Sequence, residues 1–94
     1  MVISSLSPFE VQLDLACKLK SVRKRLGHSR SEAAHRSGVP APTLRRFEDT
    51  GEISLRQFLM LCAVYGALDV IPQALPGFTA TTMDELIEQS GRPR

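Results

Sequence analysis

The sequence predicts an all-α fold: a compact domain of four to five helices with a short C-terminal helix. Helix-start signals, in which Ser or Thr stands three residues before Glu or Gln, occur at four places along the 94 residues. Aromatic residues make up only 5% of the chain and Trp is absent, which favours an aliphatic core between helices. We therefore predict a helical domain over residues 8–70. Residues 71–94 would form a linker and an acidic helix, the latter over residues 82–89.

The first helix is predicted over residues 8–26. Ser7 would cap it, and Pro8 is tolerated because the N–H that proline lacks would be unpaired in a first turn. Gly27 would end the helix. Its predicted core stripe consists of four aliphatic residues at helical spacing: Leu15, Leu19, Val22 and Leu26.

Three further helices are predicted before the C-terminal segment. The second covers residues 30–37, begins after a Ser29 cap and ends at Gly38, a residue suited to the left-handed conformation that closes helices. The third covers residues 41–49. The fourth covers residues 55–68 and is followed by two chain-breaking prolines.

The charges are segregated along the chain, although the net charge is only +2. Residues 18–46 hold nine of the twelve basic residues and one acidic residue, a net charge of +8. Residues 47–94 carry a net charge of −4, and residues 1–17 carry −2. Such a basic segment indicates a face that binds a polyanion. A solvated basic helix without a ligand is the alternative.

A helix, a short turn with glycine and a second helix form the layout of a helix-turn-helix. Here the helices read RSEAAHRS and APTLRRFED, joined through GVP. Val39 would fill the angle between them, and Leu44 and Phe47, three residues apart, would face inward. That turns Pro42, Arg45 and Arg46 outward, with Thr43 beside them. An outward face with its N-terminal turn leading suits a DNA major groove, where arginine binds guanine edges or phosphates.

The stretch LGHSRSEAAHRSGVPAPTLRRFEDTGEISLRQFLMLCAVYGAL resembles the Xre/Cro-type repressor domain. The resemblance covers about residues 11–70 and implies a five-helix, usually dimeric domain that binds specific DNA. Arg30 stands where the family has glutamine, and Pro40 replaces the usual serine cap. Together with the outward Arg45, the matching positions make up a predicted DNA-binding set: Ser29, Arg30, Ala41, Pro42, Thr43, Arg45 and Arg46. Glu48 and Arg23 match a structural ion pair of the family.

A narrower resemblance is to HipB-like antitoxins of HipA-type kinase modules. It rests on TLRRFEDTGEISLRQFLMLCAVYGALDVIPQALP, followed by TMDELIEQSGRPR. It implies an antitoxin that represses its own promoter, binds a palindromic operator and pairs with a HipA-like kinase toxin. Two alternatives stay open. One is a stand-alone or prophage Xre-type regulator without a toxin. The other is a protein-interaction adaptor that has lost DNA binding.

The fourth helix is apolar on every side. Residues 58–68, FLMLCAVYGAL, contain no charge, and a core on one side alone does not cover such a helix. We therefore expect a second subunit or another protein to contact it, most simply a second copy that matches a symmetric operator. The predicted dimer or partner surface consists of five residues: Phe58, Leu61, Val64, Tyr65 and Leu68. A central helix buried under the C-terminal segment is the alternative.

Residue types that carry catalysis or bind metal are sparse. His28 and His35 have no acidic or cysteine partner at metal spacing, and no glycine-rich phosphate loop precedes a helix. We expect no enzymatic activity, no metal and no cofactor. Cys17 and Cys62 are expected to be buried and reduced. No apolar run reaches the ~20 residues of a membrane span, and the N-terminus lacks signal-peptide features, which predicts a cytoplasmic protein.

Overall fold

The computed structural model describes residues 6–75. Within them lie four α-helices and two short 3-10 helices, and no strand: α1 (Pro8–Arg25), α2 (Arg30–Ser37), α3 (Ala41–Thr50), α4 (Leu55–Val64), η1 (Leu68–Val70) and η2 (Pro72–Ala74). The predicted all-α class is confirmed. The acidic helix predicted over residues 82–89 lies outside the described residues.

Serine side chains cap three of the four α-helices. The Ser7 hydroxyl accepts from the Glu10 amide at 3.1 Å, and the Glu10 carboxylate accepts from the Ser7 amide at 2.9 Å. This reciprocal pair is the predicted capping box. Ser29 also caps α2, but the Glu32 carboxylate bonds Arg36 instead of the cap amide, so that box is incomplete. Each hydroxyl satisfies one N–H that the helix itself leaves unpaired.

The predicted end of α4 is wrong. The helix stops at Val64, with Tyr65 as its cap, instead of continuing to Leu68. Gly66 follows with φ +74°, a left-handed backbone conformation that glycine adopts without steric cost. The chain then turns, and η1 packs against α4. Leu68 therefore belongs to a separate short element with its own orientation.

The core lies where α1, α2, α3 and α4 meet. Its buried hydrophobic residues come from all four helices and the turn: Ala16, Leu19, Ala33, Val39, Leu44, Phe47, Leu61 and Cys62. The inward positions predicted for Val39, Leu44 and Phe47 are confirmed, since each is at most 1% exposed. Phe47 contacts Phe58 edge to face, with ring centroids 6.1 Å apart, and this contact joins α3 to α4.

Two predictions about α1 are wrong. Leu26 is 51% exposed, because α1 ends at Arg25 and its buried line runs through Ala16, Leu19 and Arg23. Cys17 is exposed rather than buried, because its neighbour Ala16 occupies the face that meets the core.

One residue of the predicted partner surface has to be withdrawn. Leu61 is 0% exposed and lies in the core beside Cys62, so it cannot contact a second subunit. The cause is the rotation of α4, which turns Leu61 and Cys62 toward the other helices. Phe58 and Tyr65 are partly buried and pack against the same core.

Candidate nucleic-acid interface

The turn between α2 and α3 holds the two helices in a defined angle. Gly38 closes α2 with φ +82°, and its amide donates to the Ala34 carbonyl at 2.9 Å. The Val39 side chain is completely buried between the helices, and its amide donates to the Ser37 hydroxyl at 3.0 Å. α3 then begins after Pro40 without a side-chain cap. The leading end of α3 is thereby presented beside the start of α2.

Four residues of the predicted DNA-binding set line one cleft. Arg30 comes from the start of α2, and Ala41, Pro42 and Arg45 come from the first half of α3. The cleft has a volume of about 360 Å³ and is open to solvent. Two guanidinium groups thus flank the apolar leading turn of α3. Phosphate oxygens and base edges are the groups that such a surface can bind.

The remaining three residues of the set lie outside this cleft. The Ser29 hydroxyl is engaged as the α2 cap. Thr43 is half-buried, and Arg46 is exposed on a neighbouring face of α3. The structure therefore brings four of the seven predicted residues together in one cleft and places the other three outside it.

The three arginines of the set differ in what they bind. Arg45 is exposed, and it forms no hydrogen bond or ion pair with any residue in the range 6–75. Arg46 donates from Nε and a terminal nitrogen to the Glu52 carboxylate. Arg30 donates from Nε to Glu48 Oε1 at 2.9 Å. Only Arg45 has its whole guanidinium available for a ligand.

Arg23 and Glu48 meet at the centre of the domain. Arg23 Nε donates to Glu48 Oε2 at 2.7 Å, and a terminal nitrogen donates to Oε1 at 2.9 Å. The other terminal nitrogen donates to the His28 carbonyl at 2.8 Å. The two side chains are only 7% and 1% exposed. This bidentate pair ties α1 to α3 and to the loop before α2.

Burial and hydrogen bonding act on Glu48 in opposite directions. Burial by itself would raise the pKa of the Glu48 carboxyl, because it penalises the charged form. The hydrogen bonds from Arg23 and Arg30 outweigh it, so the pKa lies below its ordinary value of 4.5. Glu48 is therefore ionised at neutral pH and carries the charge that both arginines need.

The model of the family described as "Helix-turn-helix domain" matches residues 14–71, which is more than half of the chain. The chain belongs to this helix-turn-helix family. The domain is of the Xre/Cro-like type, as the sequence resemblance implies. Comparisons with curated proteins and with solved structures found no match.

Membership of the helix-turn-helix family indicates a DNA-binding regulator, and domains of this family are typically not enzymes. Among residues 6–75, no three side chains of the His, Cys, Asp and Glu types cluster as metal ligands would. In the same range, no helix combines the length and the apolar character that crossing a membrane requires.

Sequence reasoning missed two contacts between carboxylates and the candidate DNA-binding arginines of the helix-turn-helix domain. Glu52 pairs with Arg46 from beyond the end of α3, six positions along the chain. Glu48 binds Arg30 as well as Arg23. The sequence contains a possible signal for the contact between Arg30 and Glu48, because arginine replaces the family's glutamine at position 30 and can reach a nearby carboxylate.

The partner surface predicted on the fourth helix included only one of the residues that line the outer face of α4. An apolar groove of about 520 Å³ lies along it, lined by Leu55, Arg56, Leu59, Met60, Ala63 and Leu68. Leu55 is 70% exposed and Leu68 is 46% exposed. Of the predicted partner surface, Leu68 lies in this groove, whereas Val64 lines a different cleft beside α2.

Proposed function

We propose that this helix-turn-helix protein is a transcriptional repressor that binds a specific, palindromic operator as a homodimer. The observation that carries the proposal is the cleft between α2 and α3, where Arg30, Pro42 and Arg45 lie together at the leading end of α3. In this arrangement Arg45 would bind a guanine edge, Pro42 would contact a thymine methyl, and Arg30 would bind phosphate.

The same arrangement supports DNA binding over the adaptor alternative. Arg45 is exposed beside the leading turn of α3 and has no hydrogen-bond partner among residues 6–75, and Arg30 lines the same cleft, so two positive charges meet there as binding to a phosphate backbone requires. The net charge of +8 over residues 18–46 would attract the phosphate backbone from a distance. DNA as the ligand is also the basis for the cytoplasmic localisation that we propose.

Homodimerisation is proposed on two grounds. Helix-turn-helix dimers bind two half-sites related by the symmetry of the protein. The groove on α4 leaves large apolar side chains such as Leu55 and Leu68 exposed, a surface that a second subunit would cover. Of the partner residues predicted from sequence, Leu68 fits this surface best.

The narrower proposal is an autoregulating antitoxin paired with a HipA-like kinase toxin. Its support is the sequence resemblance over residues 43–76 and 82–94. A stand-alone or prophage regulator of the same family is the second candidate. The test is a pull-down with the tagged protein. If it captures a HipA-type kinase and inhibits phosphoryl transfer by that kinase, the antitoxin is supported. If it binds no such kinase stably, the stand-alone regulator is favoured.

The first test of repressor function is a salt titration of DNA binding. Fluorescence anisotropy would compare the duplex immediately upstream of the gene (the promoter duplex) with a scrambled duplex and a single half-site. We expect tight binding to the promoter duplex, with log K falling against log salt by about 0.9 per phosphate contact. The half-site should bind far more weakly. Equal affinity for the promoter and scrambled duplexes would contradict a specific repressor and favour the adaptor.

Arg45→Ala should weaken binding to the promoter duplex by about 1–3 kcal/mol and relax the preference at one operator position. Arg46→Ala should weaken it less, because two of the three guanidinium nitrogens of Arg46 already donate to Glu52, whereas all three of Arg45 are available. Both residues are exposed, so both variants should keep the melting temperature of the wild type. A loss from Arg46→Ala that equals or exceeds the loss from Arg45→Ala would show that the Glu52 contact does not matter.

A further inference from the structure

The Glu48 carboxylate lies between two guanidinium groups at the junction of α1, α2 and α3. Its Oε2 accepts from Arg23, and its Oε1 accepts from both Arg23 and Arg30. The Glu48 side chain is 1% exposed and the Arg23 side chain 7%, whereas the Arg30 side chain is 33% exposed. One buried carboxylate thus connects a fully interior arginine to an arginine at the surface.

The contact with Glu48 uses only part of the Arg30 guanidinium. Nε donates to Glu48, and the two terminal nitrogens make no hydrogen bond to any residue within the described part of the chain. These nitrogens belong to the side chain that borders the cleft with Ala41, Pro42 and Arg45. A guanidinium held at Nε keeps a planar pair of donors available for a phosphate oxygen.

We propose that Glu48 is a positioning residue for DNA binding, which holds the Arg30 guanidinium so that its terminal nitrogens meet a backbone phosphate. The inference rests on the proposed DNA-binding function. A long arginine side chain loses much rotamer freedom when it binds a ligand. Because Glu48 already fixes Arg30 in the folded protein, this entropy is lost on folding and not on DNA binding. The exposed Glu52 cannot anchor Arg46 in the same way, because both partners are more than half exposed.

The direction in which DNA affinity changes when Glu48 loses its charge distinguishes a positioning role from a purely electrostatic one. Glu48 is negative and lies beside the surface that would face DNA, so removing its charge should strengthen binding if charge alone mattered. Loss of positioning should weaken binding instead. Arg23 is buried, and its guanidinium nitrogens donate to Glu48 and to the His28 carbonyl. A contact of Arg23 with DNA therefore cannot account for weaker binding.

The experiment compares Glu48→Gln with Glu52→Gln on the promoter duplex and on the scrambled duplex at low salt. Glutamine keeps the size of the side chain and removes the charge in both variants. We expect Glu48→Gln to weaken binding to both duplexes by about tenfold, the loss expected for one charge-assisted hydrogen bond. We expect Glu52→Gln to bind as well as the wild type or tighter. Unchanged or tighter binding by Glu48→Gln would overturn the proposal.

A second variant decides the question if Glu48→Gln does not fold at the assay temperature. Lysine at position 30 keeps the positive charge, but it lacks the rigid planar fork that lets the guanidinium bind Glu48 through Nε and present two terminal nitrogens to a phosphate. Positioning predicts that Arg30→Lys binds several-fold more weakly than the wild type although its charge is unchanged, and that Arg30→Ala binds more weakly still. Wild-type affinity in Arg30→Lys would show that charge alone is sufficient and would overturn the proposal.

The two duplexes keep the inference distinct from the proposed function. A phosphate contact is independent of sequence, so the variants can be ranked on the scrambled duplex even if the wild type does not prefer its promoter. In that case the proposal of a specific repressor is contradicted, while the positioning role of Glu48 is still tested. A wild type that binds neither duplex at low salt would overturn both.

Discussion

Replacing Glu48 with alanine should lower the free energy of unfolding by about 3–5 kcal/mol, the range for breaking a buried ion pair on one side. The substitution leaves the Arg23 guanidinium buried at 7% exposure without its carboxylate, and it removes the hydrogen-bonded contact with Arg30. Urea denaturation at pH 7, followed by circular dichroism, measures this change. The melting temperature should fall in parallel.

Glu52→Ala is the matched control for Glu48→Ala. It also removes a carboxylate that pairs with an arginine, but the Glu52 side chain is 58% exposed and its Arg46 partner is 68% exposed. Solvent screens such a pair, so the loss should be at most about 1 kcal/mol. Equal losses for the two variants would show that burial of the Glu48 pair contributes nothing to stability.

The Glu48 contribution should also depend on pH. The pKa of Glu48 is lowered in the folded protein relative to its ordinary value of 4.5, so the ionised form is favoured by folding. The stabilisation is therefore complete above about pH 5 and is lost as pH falls through the folded-state pKa. Denaturation curves from pH 7 down to pH 3 should show a smaller acid-dependent loss in Glu48→Ala than in the wild type. The same slope in both proteins would contradict a lowered pKa.

Phe47→Ala should lower the free energy of unfolding by about 3–5 kcal/mol, as large-to-small changes at buried phenylalanines do. Phe47 is 1% exposed, and its ring packs edge to face against Phe58. Truncation leaves a cavity between α3 and α4, which the surrounding helices can close only in part. Thermal and urea denaturation measure the loss.

Phe9→Ala is the control for Phe47→Ala. The same ring is removed, but Phe9 lies in the first turn of α1 and is 59% exposed. We expect a change of no more than about 0.5 kcal/mol, the range of surface substitutions. A loss below about 1.5 kcal/mol for Phe47→Ala would contradict its role as the anchor between α3 and α4.

The starts of the helices and the turn between α2 and α3 were predictable from sequence. Ser7, Ser29 and Ser54 each accept a hydrogen bond from an amide three residues ahead, an interaction that needs only the local chain. Gly38 takes the left-handed conformation that the turn requires. The inward Leu44 follows from helical spacing, whereas the cleft that joins Arg30 to the start of α3 also depends on the packing of α2 against α3.

Tertiary structure alone decided which side of α4 is buried and that Arg30 binds Glu48. From residue 58 onward α4 has no charged or strongly polar side chain, so its periodicity carries little information about orientation, and only packing placed Leu61 in the core and Leu55 in solvent. Likewise, Arg30 and Glu48 are 18 positions apart and meet only because α2 and α3 pack together. Local hydrogen bonds and backbone conformation are determined by neighbouring residues in sequence. The buried face of α4 and the contact between Arg30 and Glu48 depend on the helix packing, which local patterns do not specify.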